Sequence, residues 1–255
     1  MSEHRFSVSA STYDRHARPQ QILANALLAE LVMDSPDRIL ELGGGTGQLT
    51  RRILGRYPNA QIDVVDIAPG MVEFGRQTFA DVPNVCWELG DAQAWRARDL
   101  YPLVVSSAAL HWTQDLQATF ANVYQNLLPR GAFVFGIMLD NTFKELRQLR
   151  SEIAPNKVST FSLPTYHQTV EALEQSGFRI ELAERTEYLF PYENARAFLK
   201  VIHEQGVTGG SRESGYAPLA RTQMLQLIER YQQENEKNGQ VYATYETVVV
   251  VAVRP

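Results

Sequence analysis

Apolar and polar positions fall into two rhythms along the chain. From Pro19 to Leu139, short apolar runs alternate with amphipathic stretches of helical period. Pro19 opens a helix through about Met33, with Ile22, Leu23, Ala26, Leu27 and Leu31 on one face, because proline is tolerated in a first helical turn; Asp34-Ser35-Pro36-Asp37 ends it. Ile39 to Leu42 predicts a first strand, and Thr46 offers a capping hydroxyl to a helix that runs to Tyr57. Gln61 to Asp66 is a second strand, followed by a helix from Pro69 whose apolar face includes Met71, Val72 and Phe74. Asn84 to Leu89 and Leu103 to Ser107 are a third and a fourth strand. A helix from about Leu116 to Leu128 then leads through Pro129-Arg130-Gly131 to a fifth strand, Ala132 to Leu139. Strands separated by helices imply βαβ units and a parallel sheet.

After Asp140 the rhythm breaks. Asn141 to Ile153 and Tyr166 to Ser176 read as helices, Phe178 to Phe190 as a strand, and Asn194 to Gln205 and Leu219 to Glu236 as further helices around a segment, Gly206 to Gly215, expected to be flexible. Thr247 to Val253 is an almost unbroken valine run, which requires burial on both faces and therefore a place inside the sheet. The intervening residues must then partly cover the carboxyl ends of the strands. One domain over residues 1–255 follows: an N-terminal arm (1–18), a core (19–139), a region that is partly a helical cap (140–240) and a final strand (241–255).

Composition narrows the function classes. The 255 residues carry 24 basic and 29 acidic side chains, a net charge of −5, with Lys and Arg scattered. A nucleic-acid groove would want a basic stripe, so no nucleic-acid partner is expected. No stretch approaches the ~20 apolar residues of a membrane span, and Met1 to Ser9 has no apolar signal core; a soluble cytoplasmic protein is the expectation. The single cysteine, Cys86, lies in an apolar run and reads as a buried small hydrophobe.

The chemistry centres on Glu41-x-Gly43-x-Gly45-x-Gly47, between the first strand and its helix. Glycines there let the backbone take positive φ and let a ligand lie against the main chain. A dinucleotide fingerprint begun at Gly43 would need Gly or Ala where Gln48 stands, and a carboxylate beside the turn would repel pyrophosphate. It suits a cofactor bearing an ammonium and a sulfonium. The pattern looks like motif I of the class I S-adenosylmethionine-dependent methyltransferases. Asp66, at the tip of the second strand, could accept hydrogen bonds from both ribose hydroxyls, or could cap the next helix. Gly90-Asp91-Ala92 resembles the adenine-binding motif of that superfamily, with Ile67 and Met71 as walls, although Met71 reads equally well as core. Ala108 to His111 would pass beneath the methionine portion. Methyl transfer from a sulfonium is an in-line displacement that asks for approach and orientation, and a carboxylate acceptor, anionic at pH 7, needs no general base. The sequence offers no nucleophile triad, metal-ligand cluster or acid/base carboxylate pair, and no metal is expected.

Further matches narrow the resemblance. Phe6 with Tyr13-Asp14-x-x-Ala17-x-x-Gln20, then Leu110-His111-Trp112-Thr113-Gln114-Asp115, Asn141 to Arg147, Leu199-Lys200-x-Ile202-His203 and Ala243-Thr244-Tyr245-Glu246 are similar to the malonyl-[acyl-carrier-protein] O-methyltransferases of the biotin pathway. His111 and Asn141 stand where that family commonly has Gln and Gly. The resemblance implies a Rossmann-like fold, a seven-stranded mostly parallel sheet with helices on both faces and its last two strands antiparallel at one end. It implies S-adenosylmethionine as cofactor, and methylation of the free carboxylate of a malonyl thioester on acyl carrier protein, or of malonyl-CoA. In that light Tyr13 and Gln20 would close over the cofactor and orient the acceptor, His111 and Trp112 would lie near the transferring methyl, and Arg147, Arg150, Lys157, Arg196, Lys200 and Arg221 would form a basic rim for an acidic carrier. Three alternatives stay open: a small-polycarboxylate enzyme resembling trans-aconitate methyltransferase, which shares a segment like Asn238-Gly239-Gln240; a natural-product methyltransferase using His111 as base; and a non-catalytic binding module.

Overall fold

A computed structural model describes residues 18–31, 33–157, 162–204 and 218–255. The expected arm, with Tyr13, and the Gly206 to Gly215 segment lie outside the described residues. The elements are α1 (Arg18–Ala29), β1 (Arg38–Leu42), α2 (Gln48–Arg56), β2 (Gln61–Asp66), α3 (Pro69–Thr78), β3 (Val85–Leu89), β4 (Tyr101–Ser107), α4 (Leu116–Asn126), β5 (Leu127–Met138), α5 (Lys144–Ile153), α6 (Tyr166–Gln175), β6 (Arg179–Tyr192), α7 (Ala195–Glu204), α8 (Arg221–Asn235), β7 (Glu236–Lys237) and β8 (Gln240–Val253). Short 3₁₀ turns lie at Leu110–Trp112 and Pro155–Lys157.

One sheet runs in the order β3-β2-β1-β4-β5-β8-β6, with the two-residue β7 paired to β8. β1 to β5 pair in parallel, and β8 runs antiparallel to both β5 and β6. The architecture is the mostly parallel α/β arrangement with helices on both faces that the sequence implied. The last two long strands are antiparallel to each other, while β6 keeps the direction of β1 to β5.

Alternation along each strand sends side chains to two separate cores. Ile39, Val64, Val105, Val134 and Val251 join Leu23, Ile53 and Val72 beneath α1, α2 and α3, in a cluster that also takes in Leu149, Phe198 and Tyr231 of the later helices. Leu40, Val65, Val104, Phe135 and Val250 face the opposite way, onto Phe120 of α4 and Leu173 of α6. The valine run of β8 is buried from Val248 to Ala252, as its composition required.

β8 is twice as long as its valines suggested. Only Thr247 to Val253 pair with β5; Val241 to Glu246 pair with β6 on that side, Val241 also with Glu236 of β7, and carry the ribbon past the carboxyl end of β5. Phe190, Ala195, Phe198, Leu227, Tyr231, Ala243 and Tyr245 pack together around this extension, so the later helices are seated on it. The exit of β5 is stitched to the same ribbon. Glu246 accepts the Asn141 N–H at 3.0 Å and the Arg185 guanidinium, and the Phe143 N–H donates to the Thr244 carbonyl at 2.7 Å. Asn238 and Gly239, at φ 53 and 76, make the tight turn joining β7 to β8.

Three local readings are corrected. Thr46 does not cap α2: Gly47 occupies the N-cap at φ 77, without a side-chain cap bond. Cys86 is exposed, because β3 is an edge strand on which alternation turns Trp87 inward and Cys86 out. Phe74 is only half-buried, and the inner face of α3 presents Gly75 instead. Among the described residues no helix is long and apolar enough to cross a membrane.

A Cβ at Gly75 would lie 2.3 Å from the Trp87 ring, so α3 sits closer to β3 than any other residue there would allow. Alanine normally favours a helix interior by ~1 kcal/mol over glycine. Here Gly75→Ala is expected to lower unfolding stability by about 1–3 kcal/mol through overpacking. Adding Trp87→Phe should recover part of that loss; an unchanged denaturant midpoint for the single variant would mean the helix rides free of the ring.

Candidate functional site

The carboxyl tips of β1 to β4 and the first turns of α1 enclose one hollow of about 400 Å³. Glu41, Gly43 and Gly45 line it from β1 and its turn, Asp66, Ile67 and Met71 from β2 and α3, Asp91 and Ala92 from beyond β3, and Ser107 and Ala108 from the tip of β4. Gln20 and Ala24 close it from α1, and Trp112, Thr113 and Gln114 from the loop after β4.

The glycines divide the work. Gly43 (φ 75) donates its N–H to the Val65 carbonyl at 2.7 Å, and a Cβ there would strike Ala109 at 2.2 Å. Gly45 (φ 54) would point a Cβ into open space, the surface against which a flat ligand can lie. A Cβ on Gly47 would meet the Phe79 ring at 2.4 Å, and Gly47 does not line the hollow. Its sequence assignment to ligand contact is corrected to helix packing.

Asp66 holds this turn in place. It is 8 % exposed, and its Oδ2 accepts the Gly45 N–H at 2.8 Å while Oδ1 accepts the Ala68 N–H at the start of α3, at 2.9 Å. Burial pushes its pKa up, and these backbone bonds pull the other way. Glu41 is 1 % exposed and accepts the Thr50 hydroxyl at 2.7 Å. Burial lifts its carboxyl to about 8, the Thr50 bond opposes this, and repulsion from Asp66 adds to it. Asp91 accepts the Gln93 N–H at 2.9 Å, which turns the chain out of β3. Ile67 is 43 % exposed beside it, whereas Met71 is buried in the core and also lines the hollow. Ala108 adopts φ 53 with its N–H bonded to the Gly136 carbonyl at 2.8 Å, a strained backbone position at the floor of the site.

His111 departs from expectation. It is 5 % exposed and does not line the hollow; its Nδ1 accepts the Met138 N–H at 3.4 Å, and its ring lies 4.9 Å from that of Trp112. Burial pushes its pKa down to about 3, so the imidazole is neutral. It props Trp112 from behind.

Ser107 escaped the sequence reading. Its hydroxyl is buried with no hydrogen-bond partner among the described residues, and the same holds for Gln20 Oε1. Its position at a strand tip, one residue ahead of Ala108, was the only available signal. Gln93 was also missed; its side chain accepts the Asp115 N–H at 2.9 Å and anchors the loop that carries Trp112. The ionisable side chains among the described lining residues are three acids, Glu41, Asp66 and Asp91. A cationic ligand fits such a hollow, and the two orphaned oxygens fit a ligand that donates hydrogen bonds. Among the described residues no cluster of three potential metal ligands occurs.

This sheet order, with a glycine turn and acids on successive strand tips, defines a class I methyltransferase. The family model described as "Methyltransferase domain" matches residues 39–131, which span β1 to the start of β5. A fold neighbour from Bacillus halodurans, described as a methyltransferase, superposes with a TM-score of 0.66 at 13 % identity, covering 91 % of this chain and 98 % of that one. The malonyl-[acyl-carrier protein] O-methyltransferase of Acetivibrio thermocellus is 31 % identical over 97 % of this chain and 91 % of its own length. That of Anoxybacillus flavithermus is 30 % identical over 98 % and 95 %. The chain belongs to the malonyl-[acyl-carrier protein] O-methyltransferase family.

Burial raises Glu41 from its ordinary 4.5 to about 8, so above pH 4.5 the folded chain keeps a proton that the unfolded chain gives up. This contribution to stability is full below 4.5 and is lost as pH rises towards 8, and Asp66 acts in the same direction. Glu41→Gln is expected to flatten the decline in unfolding free energy over that interval, by a few kcal/mol at its upper end. Parallel curves for wild type and variant in urea titrations across this range would contradict it.

Proposed function

We propose that the chain transfers the methyl group of S-adenosylmethionine to the free carboxylate of a malonyl thioester carried by acyl carrier protein, with malonyl-CoA as the smaller substrate of the same type. The observation that carries this reading is the convergence of Glu41, Asp66 and Asp91 on one hollow free of cations among its described lining residues. When bound, the cofactor supplies an electrophilic methyl on a sulfonium. The chain's own residues bind and orient. Asp66 receives the ribose hydroxyls with the lone pairs its backbone bonds leave over. Asp91 and the Ala92 N–H read the adenine edge between Ile67 and Met71. Gly43, Gly45 and Ala108 bring backbone close beneath the ligand.

The acceptor side follows from charge. A carboxylate is ionised at pH 7 and needs no base. His111, neutral, buried and off the hollow, is poorly suited to be one, which disfavours phenol or amine acceptors. Trp112 and, from the arm, Tyr13 are assigned to exclude water and orient the acceptor. On the cap, Arg147 is tied to the Thr142 and Asp140 carbonyls and Lys157 donates to the Pro218 carbonyl at 3.0 Å. Arg196 and Arg221, exposed on α7 and α8, are therefore better placed to meet an acidic carrier, as is Lys200, exposed although 3.8 Å from Glu204 on the same helix. Asn238-Gly239, shared with the trans-aconitate type, forms a hairpin turn, so that match is accounted for by turn geometry. The resemblance implies that the esterified malonyl group serves as a disguised primer for fatty acid synthesis on the route to biotin, in the cytoplasmic setting expected from the sequence.

Labelled S-adenosylmethionine offered with malonyl-carrier protein, malonyl-CoA or trans-aconitate is expected to label the thioesters. Label on trans-aconitate alone would transfer the reading to the small-polycarboxylate type. His111→Gln is expected to keep kcat within about tenfold of wild type, because a positioned base contributes about 10²-fold or more. A loss on that larger scale would restore His111 to the chemistry.

A further inference from the structure

The far side of the sheet from the hollow ends in a long open edge. Among the described residues β6 pairs with β8 alone along Arg179–Tyr192, whereas β3, at the opposite edge, is only five residues long. An open edge of that length is a template for another strand. The bonds of β8 fix which groups face outward. The Thr244 and Glu246 carbonyls accept the Phe143 and Leu139 N–H groups on the β5 side. Alternation therefore turns the main chains of Ala243, Tyr245 and Thr247 towards β6, onto Phe190, Tyr188 and Thr186. The N–H and C=O groups of Ala183, Arg185, Glu187 and Leu189 are left facing the open side. Two features interrupt that edge: Pro191, which has no N–H to offer there, and the bulge at Glu181, where the register shifts. Each stands five residues from Thr186, and between them the ladder is regular.

The side chains of this stretch are complementary to themselves. Arg185, Glu187 and Leu189 share one face and are exposed, Leu189 by 53 %. A two-fold axis through Thr186, normal to the sheet, would set Arg185 against Glu187 of the partner subunit and Glu187 against the partner subunit's Arg185. It would also cover Leu189 with the partner subunit's Ala183 and bring the proline of each copy to the bulge of the other. Centring the axis on Glu184, Arg185 or Glu187 would instead set a charge against its own copy. Within one chain Arg185 is paired to Glu246, and Lys144 lies 2.9 Å from Glu187. Across the axis these pairs join into a row of alternating sign, Glu246, Arg185, Glu187, Lys144. An edge charged only to repel other strands would carry one sign. We propose that residues 182–190 of β6 form a dimer interface, pairing antiparallel with the same segment of a second copy so that two sheets become one. The proposal stands apart from the methyl-transfer reading and does not depend on it.

Sedimentation velocity on the full chain at micromolar concentration is expected to give twice the mass of one chain. Glu187→Arg removes only an exposed ion pair within the chain but sets like charges together twice across the axis. It is expected to weaken the dimer by about tenfold or more, with the thermal unfolding of the single chain unchanged. Crosslinking in a Cys86→Ser background tests the register. Thr186→Cys would place its two thiols on the axis, in a pair without mutual main-chain bonds and with Cα atoms about 4.5 Å apart, a separation that a disulfide spans. Mild oxidation is expected to join that variant into a covalent dimer. Leu189→Cys, roughly 20 Å from its counterpart at ~3.4 Å per residue, should stay unjoined. A wild-type chain that sediments as a single copy would overturn the proposal. So would a dimer that Glu187→Arg leaves unmoved, or one in which Thr186→Cys crosslinks no better than Leu189→Cys.

Discussion

The site depends on one buried carboxylate. Asp66 accepts backbone N–H groups from the turn after β1 and from the start of α3, so a single side chain fixes two loops relative to each other. An acid buried to this degree is costly, and hydrogen bonds to two main-chain donors are what make it tolerable. With Asp66 in place, Gly45 holds its left-handed conformation facing open space. The first two strand tips then bound a slot of fixed width, and Asp91 is added from the third.

The electrostatics follow from the same crowding. Glu41 and Asp66 lie on adjacent strands in a poorly solvated corner, and the charge of Asp66 adds to the cost that burial sets on ionising Glu41. A cationic guest would relieve that repulsion. His111 shows the converse. A ring buried behind Trp112 with a backbone N–H on Nδ1 has nothing to stabilise its charged form, and it serves as packing.

The strand and helix rhythm of residues 19–139 was legible because each element in a βαβ unit buries a face of its own, and the valine run of β8 announced its place for the same reason. The polar half of β8 lies within the expected final strand (241–255) but has no apolar run of its own; Tyr242, Thr244 and Glu246 are held in the ladder by β6. Cys86 was misassigned because an apolar run does not reveal that its strand lies at the edge of a sheet. Among site residues, the acids and most of the glycines were visible as a spaced motif. Gly47 and His111 carried the right residue types but faced Phe79 and Met138, and Ser107 carried no motif at all.

The insertion of β8 between β5 and β6 bears on how the chain comes off the ribosome. The half that frames the hollow, β1 to β4, is complete early in synthesis, yet β5 presents an open edge of Phe133, Phe135 and Ile137 until Thr247 to Val253 have emerged to pair with it. Such an edge is a template for pairing with the wrong chain. Translation of the segment from α5 to α8 therefore sets the time for which a nascent chain must be shielded, and a pause within that stretch would prolong exposure to aggregation without altering any residue of the finished enzyme.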